Sequence, residues 1–478
     1  MLNFAKLLQK VPMICSLIID YYRYGPPQPS WDLKLYLIFR LVKDGMASPT
    51  KQTIESLQGT NKPTAADKGI LVDELSLSNS LRKKSEIYID DILKDYNHVL
   101  LDDWRSVNLG NGLECEWVYV KKKEGGEENN NKKKKYDKVI LYVHGGGYFL
   151  YPPGYRSYTS KIAKSTNSRL FVINYRLAPQ NQFPAALHDS ITAYNYLIDP
   201  PSDADFLPIE PKNIVIMGTS AGGGLAMATL LAIRDSKKLP LPAGIVLWSA
   251  WVDLAQSSPS AKDPRFEETD YLSWELFNCA RSPAWEEFEQ KAKELSEKIQ
   301  LNIDNKPRFW HKSFDCDDRL QLYVSNEGLA IPYVSPLFAE SLGGLPPILV
   351  QVGDVEILRD ENIYLAYKAA NPGKYNMPNY NAEKFERSPY KTPTKVVLEV
   401  YEEMPHAFQI AVKRTNEFIE QLLSGEEGEK ELKVLRVTGK GEIIEELKEE
   451  HYKVLECENI GVASIGKLHC YRPNNNNQ

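Results

Sequence analysis

The 478-residue chain carries 58 Lys and Arg against 64 Asp and Glu, for a net charge of −6, and is 42% hydrophobic and 26% charged. That composition is ordinary for a globular protein with a full core, and its mild acidity argues against nucleic acid as a main partner, which calls for a basic face. The six cysteines, at 15, 115, 279, 316, 457 and 470, form no close pair; this suggests no zinc site or disulfide framework and reads as free thiols in a reducing compartment, with an isolated Cys457–Cys470 bridge left open.

At the N-terminus, residues 11–19 are uncharged and mostly apolar, between Lys10 and Asp20. A spanning helix needs about 20 apolar residues, and no small-residue cleavage pattern follows, so neither a transmembrane span nor a secretory signal is indicated. Phe4, Leu7, Leu8, Val11, Ile14 and Ile18 recur at helical spacing, as do Trp31, Leu35, Ile38, Phe39 and Val42. Two amphipathic helices of this kind can lie in a membrane interface or pack on the protein as a lid, and the pattern does not separate the two. Residues 1–110 read as mostly helical, a cap or membrane-interface segment.

From there the pattern changes. Residues 112–120 read as a strand, and Lys121 to Lys135 as a low-complexity surface loop, for which nuclear import is a weak alternative. Short Val-, Ile- and Leu-rich runs follow at 139–143, 170–174, 214–217, 244–248, 348–352 and 396–401, with helical stretches at 184–198, 221–235 and 361–370 between them. Strands alternating with helices imply an α/β fold with a mainly parallel sheet, whose reactive groups gather at the carboxyl ends of the strands. An insertion at 253–347, with helices expected at 274–277 and 285–299, reads as part of a cap. A smaller polar insertion runs from 373 to 393. The catalytic unit is expected over 111–423. Beyond it, 424–478 is a charged extension, helical around Glu442–Lys453 and ending in a run of Asn. No internal repeat is found.

The chemistry centres on Gly218-Thr219-Ser220-Ala221-Gly222, at a strand-to-helix junction. Small residues beside the serine permit a turn sharp enough to push its Oγ above the sheet, and the helix N-terminus favours a developing anion. A bare Gly-x-Ser-x-Gly also fits an ordinary turn. His144-Gly145-Gly146-Gly147, directly after a strand, supplies small residues whose N–H groups can approach a negative oxygen. Two of these donors and the Ala221 N–H would form an oxyanion hole. A phosphate loop is disfavoured, because no Gly-Lys-Ser/Thr follows; the His144 side chain reads as structural. Serine activation requires an imidazole, last in chain order in this arrangement. His311 falls inside the insertion; His406 sits just past the strand at 396–401, and His451 and His469 read as surface positions in the tail.

With these motifs, Tyr175-Arg-Leu-Ala-Pro179, Phe183-Pro-Ala-Ala186 and Pro405-His406-Ala407-Phe408, the chain resembles the hormone-sensitive-lipase family of α/β-hydrolases, which are carboxylesterases and lipases. The likeness spans roughly 138–423. It implies the α/β-hydrolase fold, a triad built on Ser220 and His406, an oxyanion hole from Gly145, Gly146, Gly147 and Ala221, and no metal or organic cofactor. The N-terminal segments and Pro332-Tyr-Val-Ser-Pro-Leu337 are similar to fungal members, among them steryl acetyl hydrolases of the endoplasmic reticulum. This adds steryl acetates as a substrate class, and the endoplasmic reticulum surface or the cytoplasm as location. The family's acid is an Asp followed by Pro-Leu-x-Asp; aligning Leu358-Arg359-Asp360 puts Glu356 there, with Asp354 the alternative. Asp189 and Asp253 are less attractive, an Asp like Asp189 being structural in the family. Tyr148, Phe149, Tyr151, Trp248, Trp251 and Tyr271 read either as an apolar substrate pocket or as core. The expected partner is an apolar ester, with membrane-interface contact through residues 1–45. The competing readings are a catalytically inactive small-ligand binder of the same fold and a membrane-tethered interaction protein.

Overall fold

The computed structural model describes residues 4–47, 52–60, 65–101, 104–105, 110, 112–121, 133–151, 155–272, 281–301, 321–374, 388–409, 413–425 and 432–447. Its frame is a ten-stranded sheet. The strands are β1 (Ile70–Leu77), β2 (Leu113–Val120), β3 (Val139–Val143), β4 (Arg169–Ile173), β5 (Ile214–Thr219), β6 (Gly244–Trp248), β7 (Ile348–Gly353), β8 (Val396–Tyr401), β9 (Leu432–Val437) and β10 (Ile443–Glu446), in the spatial order β1-β2-β4-β3-β5-β6-β7-β8-β9-β10. Seven neighbours from β4 to β9 run parallel; β1, β2 and β10 run antiparallel at the two edges. The mainly parallel sheet expected from the alternation is present, as the α/β-hydrolase fold implied by the motif resemblance requires. β3, β5, β6 and β7 are buried at every residue, as continuous apolar runs covered on both faces require.

The helices are α1 (Phe4–Tyr24), α2 (Leu33–Ala47), α3 (Ile54–Thr60), α4 (Asn79–Leu93), α5 (Tyr155–Thr166), α6 (Ala185–Ile198), α7 (Ala221–Ser236), α8 (Phe266–Thr269), α9 (Pro283–Leu301), α10 (Arg359–Ala370) and α11 (Lys413–Ser424). α6 and α7 pack on each other and α4 packs on both. The Arg82 guanidinium on α4 meets the buried Asp189 carboxylate of α6 at 2.7 Å. A charge buried this way is retained only when paired, so α4 is locked to the catalytic unit rather than belonging to a separate cap.

Three expectations need correction. The first 110 residues are not only helical: β1 extends the sheet antiparallel to β2. Asp73 and Glu74 interrupt its alternation and mask the strand period, while the pairing with β2 supplies its stability. The helix expected around Glu442–Lys453 is not found in its described part, since β10 pairs with β9 there and β9 pairs parallel with β8, while 448–453 lie outside the described residues. Ile443-Ile-Glu-Glu446 is helix-compatible by composition, and the open sheet edge decides otherwise. The divisions at 110 and 424 therefore both cut through the sheet. Of the helices expected inside the insertion, 285–299 lies within α9, while 274–277, the loop at 122–132 and residues 375–387 of the polar insertion lie outside the described residues.

Both N-terminal helices are present and pack on each other, tied by the Lys10–Asp44 ion pair. Trp31 and Phe39 point inward and pack with Tyr401, Met404, Leu435 and Val437. Among the described residues no helix is long and apolar enough to cross a membrane.

Candidate active site

β5 ends at Thr219, and Ser220 turns the chain into α7 with φ +56° and ψ −128°. For a residue with a side chain this backbone is strained, at a cost of order 1–3 kcal/mol. Three hydrogen bonds hold it: Ser220 N–H donates to the Trp248 carbonyl at 2.9 Å, and the Ser220 carbonyl accepts from Trp251 N–H at 2.9 Å and Gly224 N–H at 3.1 Å. At Gly222 a Cβ would lie 2.3 Å from the carbonyl oxygens of both Val143 and His144. Only glycine lets the end of β3 close over the elbow.

That closure carries the glycine loop to the serine. A Cβ on Gly145 would lie 3.2 Å from Ser220 Cβ. Gly146 and Gly147 are partly exposed, as is Ser220, whereas Ala221 is buried at the start of α7. His144 is structural, as expected: its Nδ1 lies 2.7 Å from the Gly145 carbonyl, and its ring stacks on Tyr175 at 4.3 Å. Burial lowers its pKa to about 4, which suits a neutral packing group.

β7 ends at Gly353, where a Cβ would lie 1.9 Å from the Met404 carbonyl. This close approach joins the loop after β7 to the loop after β8. It places His406 Nδ1 3.7 Å from Glu356 Oε1, with both side chains buried. Neither atom has a hydrogen-bond partner among the described residues. They are two complementary groups that face each other slightly beyond hydrogen-bond distance. Glu356 Oε2 accepts from Ser249 Oγ at 2.9 Å and from Gly353 N–H at 3.3 Å. Burial raises the Glu356 pKa to about 8, while these two donors favour the ionised form and pull it back down. Burial lowers His406 to about 4, against the attraction of Asp270.

Asp354 faces elsewhere. Its Oδ1 accepts the Glu403 N–H at 2.5 Å, and its own N–H donates to the Tyr401 carbonyl at 3.0 Å. It holds the turn ahead of His406 rather than the imidazole, and burial raises its pKa to about 6. Asp189 is enclosed by Arg82 and Arg176, and Asp253 accepts from Ser257 and Ser258. His311, His451 and His469 lie outside the described residues. Of the aromatics, Tyr148 is core, stacked on Tyr323 at 3.9 Å, and Trp248 is buried with its Nε1 donating to Thr415. Tyr271 lies edge-on to His406, with ring centroids 5.6 Å apart.

Sequence reasoning missed Ser249, one residue past β6. Its hydroxyl donates to Glu356 and accepts from Ala407 N–H at 3.3 Å and Gln409 Nε2 at 2.8 Å. It ties the acid to the histidine loop. A polar residue at the carboxyl end of the strand between β5 and β7 was the available signal.

A serine at a strained strand-to-helix turn, a glycine loop beside it and a buried imidazole–carboxylate pair beyond the ends of β5, β7 and β8 are the parts that serine-dependent hydrolysis would use. The family model described as the alpha/beta hydrolase fold matches residues 140–282 and 279–410, and the chain belongs to that family. An acetyl-hydrolase of Streptomyces hygroscopicus is 28% identical over 272 residues, covering 57% of this chain and 68% of that protein. An esterase of Acinetobacter venetianus is 30% identical over 235 residues, 48% of this chain and 61% of that protein. The crystal structure of an esterase from the bacterial hormone-sensitive-lipase family is similar in fold, with a TM-score of 0.52 and 24% identity over 82% of this chain and 99% of that one. These likenesses agree with the resemblance to hormone-sensitive-lipase-type carboxylesterases read from the motifs.

Proposed function

We propose that the chain is a serine carboxylic ester hydrolase with Ser220 as nucleophile, His406 as general base and acid, and Glu356 as the orienting acid. The observation that carries this reading is the facing pair His406 Nδ1 and Glu356 Oε1, unpartnered among the described residues, in the loops after β8 and β7, with β6 between β7 and the strand that leads into the Ser220 elbow. Ser220 Oγ attacks the ester carbonyl as His406 Nε2 takes its proton. The N–H groups of Gly146, Gly147 and Ala221, with Gly145 shaping the loop, hold the tetrahedral oxyanion, each donor being worth roughly 3 kcal/mol of barrier. His406 returns the proton to the departing alcohol, leaving an acyl-serine. Water, deprotonated by the same imidazole, releases the carboxylic acid and restores Ser220.

The substrate class in this proposal is an apolar ester with a short acyl group, steryl acetates among the candidates. The name of the acetyl-hydrolase relative and the apolar ring of Tyr271 beside His406 support it. A place at a membrane interface, such as the endoplasmic reticulum surface, belongs to the same proposal. It is supported by exposed Val11, Ile19 and Tyr22 on α1 and Ile38 and Val42 on α2, an amphipathic arrangement suited to a lipid boundary.

The test is a fluorophosphonate label together with hydrolysis rates across acetyl, butyryl and long-chain esters, steryl acetates included. Labelling at Ser220 and loss of both labelling and hydrolysis in Ser220→Ala are expected. A Ser220→Ala protein with full esterase activity overturns the reading.

A further inference from the structure

The insertion between β6 and β7 reaches the triad through three consecutive residues. Thr269 Oγ1 donates to the Val355 carbonyl at 2.9 Å. Asp270 Oδ2 accepts the Ile357 N–H at 2.7 Å. Tyr271 sets its ring edge-on to His406. Val355 and Ile357 are the two neighbours of Glu356, so the acid is gripped by its backbone on both sides. We infer that Thr269 and Asp270 are positioning residues for the triad acid, and that the insertion holds Glu356 in place against His406.

An ordinary turn does not account for this. The bond from Leu272 N–H to Asp270 Oδ1 at 3.1 Å is a local Asx contact. The bond to Ile357 spans 87 residues of chain and uses the other oxygen. Asp270 is fully buried, and a buried carboxylate is costly unless its acceptors are used. Its charge also attracts the proton of His406, opposing the lowering by burial. Glu356 has no side-chain donor other than Ser249 among the described bonds. The loop from 354 to 358 therefore depends on main-chain anchors, and a catalytic constellation loosens when its support does.

The inference rests on the proposed triad. The experiment compares Thr269→Val, Asp270→Asn, Asp270→Ala and Ser220→Ala in the full chain, reading kcat and KM separately on p-nitrophenyl acetate, the rate of fluorophosphonate labelling, and the thermal midpoint. Asp270→Ala is expected to lower kcat by about tenfold or more with KM within about threefold, and labelling to slow in parallel. Asp270→Asn, whose amide oxygen still accepts from Ile357, should fall between it and wild type, and Thr269→Val should lower kcat by about threefold or more. If Asp270→Ala does not fold, the two isosteric variants decide. Isosteric variants with wild-type kcat, or a loss confined to KM, overturn the inference. If wild type is no more active than Ser220→Ala, the reading of the site itself fails, a result separate from the first.

Discussion

The indole N–H of Trp31 donates to the main-chain carbonyl of Glu403, three residues before His406. The Glu403 carboxylate also accepts the Ser30 N–H at 2.7 Å, and Glu403 itself sits at φ +55°. A non-glycine residue persists in that conformation only where its surroundings over-determine it, and two of the contacts come from the connector between α1 and α2. Trp31 packs on Phe39 with centroids 4.8 Å apart. Trp31→Phe keeps most of the volume and removes the donor, so kcat should fall by about threefold to tenfold with little change in KM. Trp31→Ala should in addition cost about 3–5 kcal/mol by opening a cavity. Steady-state kinetics and thermal unfolding check both; an unchanged kcat in Trp31→Phe would show that the donor does nothing for the histidine loop.

The acid assignment gives the second prediction. Glu356 faces His406 Nδ1, whereas Asp354 is engaged with Glu403. Removing the acid of such a triad lowers kcat by about 10⁴-fold, so Glu356→Ala should fall by about that much. Asp354→Asn keeps an acceptor for the Glu403 N–H and should lose less than about tenfold. The reverse order in kcat on one ester would transfer the role to Asp354.

Much of this candidate site was legible in the residue string because the motifs proposed to carry its chemistry are local. Ser220, His144–Gly147 and His406 each announce themselves by neighbours a few positions away at a strand end. Glu356 was readable only through register against Leu358-Arg359-Asp360, since Asp354 occupies the same strand end and side-chain direction is a tertiary property. Ser249 and Asp270 were invisible for the same reason: their partners lie 107 and 87 residues away in the chain. The sheet edges failed differently. β1 and β10 carry charged or exposed residues, and pairing with β2 and β9 rather than their own pattern makes them strands. The inward face of α2 packs on the histidine loop, a contact that the amphipathic pattern of α2 does not specify.

Ser249 should matter more than its anonymity suggests. Ser249→Ala deletes a donor to Glu356 and an acceptor for Ala407 N–H and the Gln409 amide. Leaving buried polar groups unpaired costs about 1–3 kcal/mol, and the acid loses its side-chain anchor. A drop in kcat of about tenfold is expected, with KM nearly unchanged. Kinetics paired with urea unfolding separate the two effects. Lost stability with wild-type kcat would make Ser249 a folding residue alone.

The buried acid also makes stability depend on pH in a predictable direction. Burial raises Glu356 from 4.5 to about 8. A group whose folded pKa is raised contributes stability fully below its unfolded value, and that contribution disappears as pH rises through the folded value. For Glu356 the window runs from about pH 4.5 to about pH 8. Each pH unit between the unfolded and folded values is worth about 1.4 kcal/mol, so the ceiling is several kcal/mol. Glu356→Gln cannot ionise. Its unfolding free energy minus that of wild type should therefore grow as pH rises across the window. His406, lowered to about 4, acts in the opposite sense: its neutral form contributes stability above its ordinary pKa of 6.5, lost as pH falls toward 4. That histidine is present in both proteins, so most of its effect cancels in the difference. Urea unfolding of the pair between about pH 5 and 8.5 measures the slope. A difference independent of pH would mean that Glu356 titrates alike in the folded and unfolded chains, and that holding a carboxylate ready beside His406 costs the fold nothing.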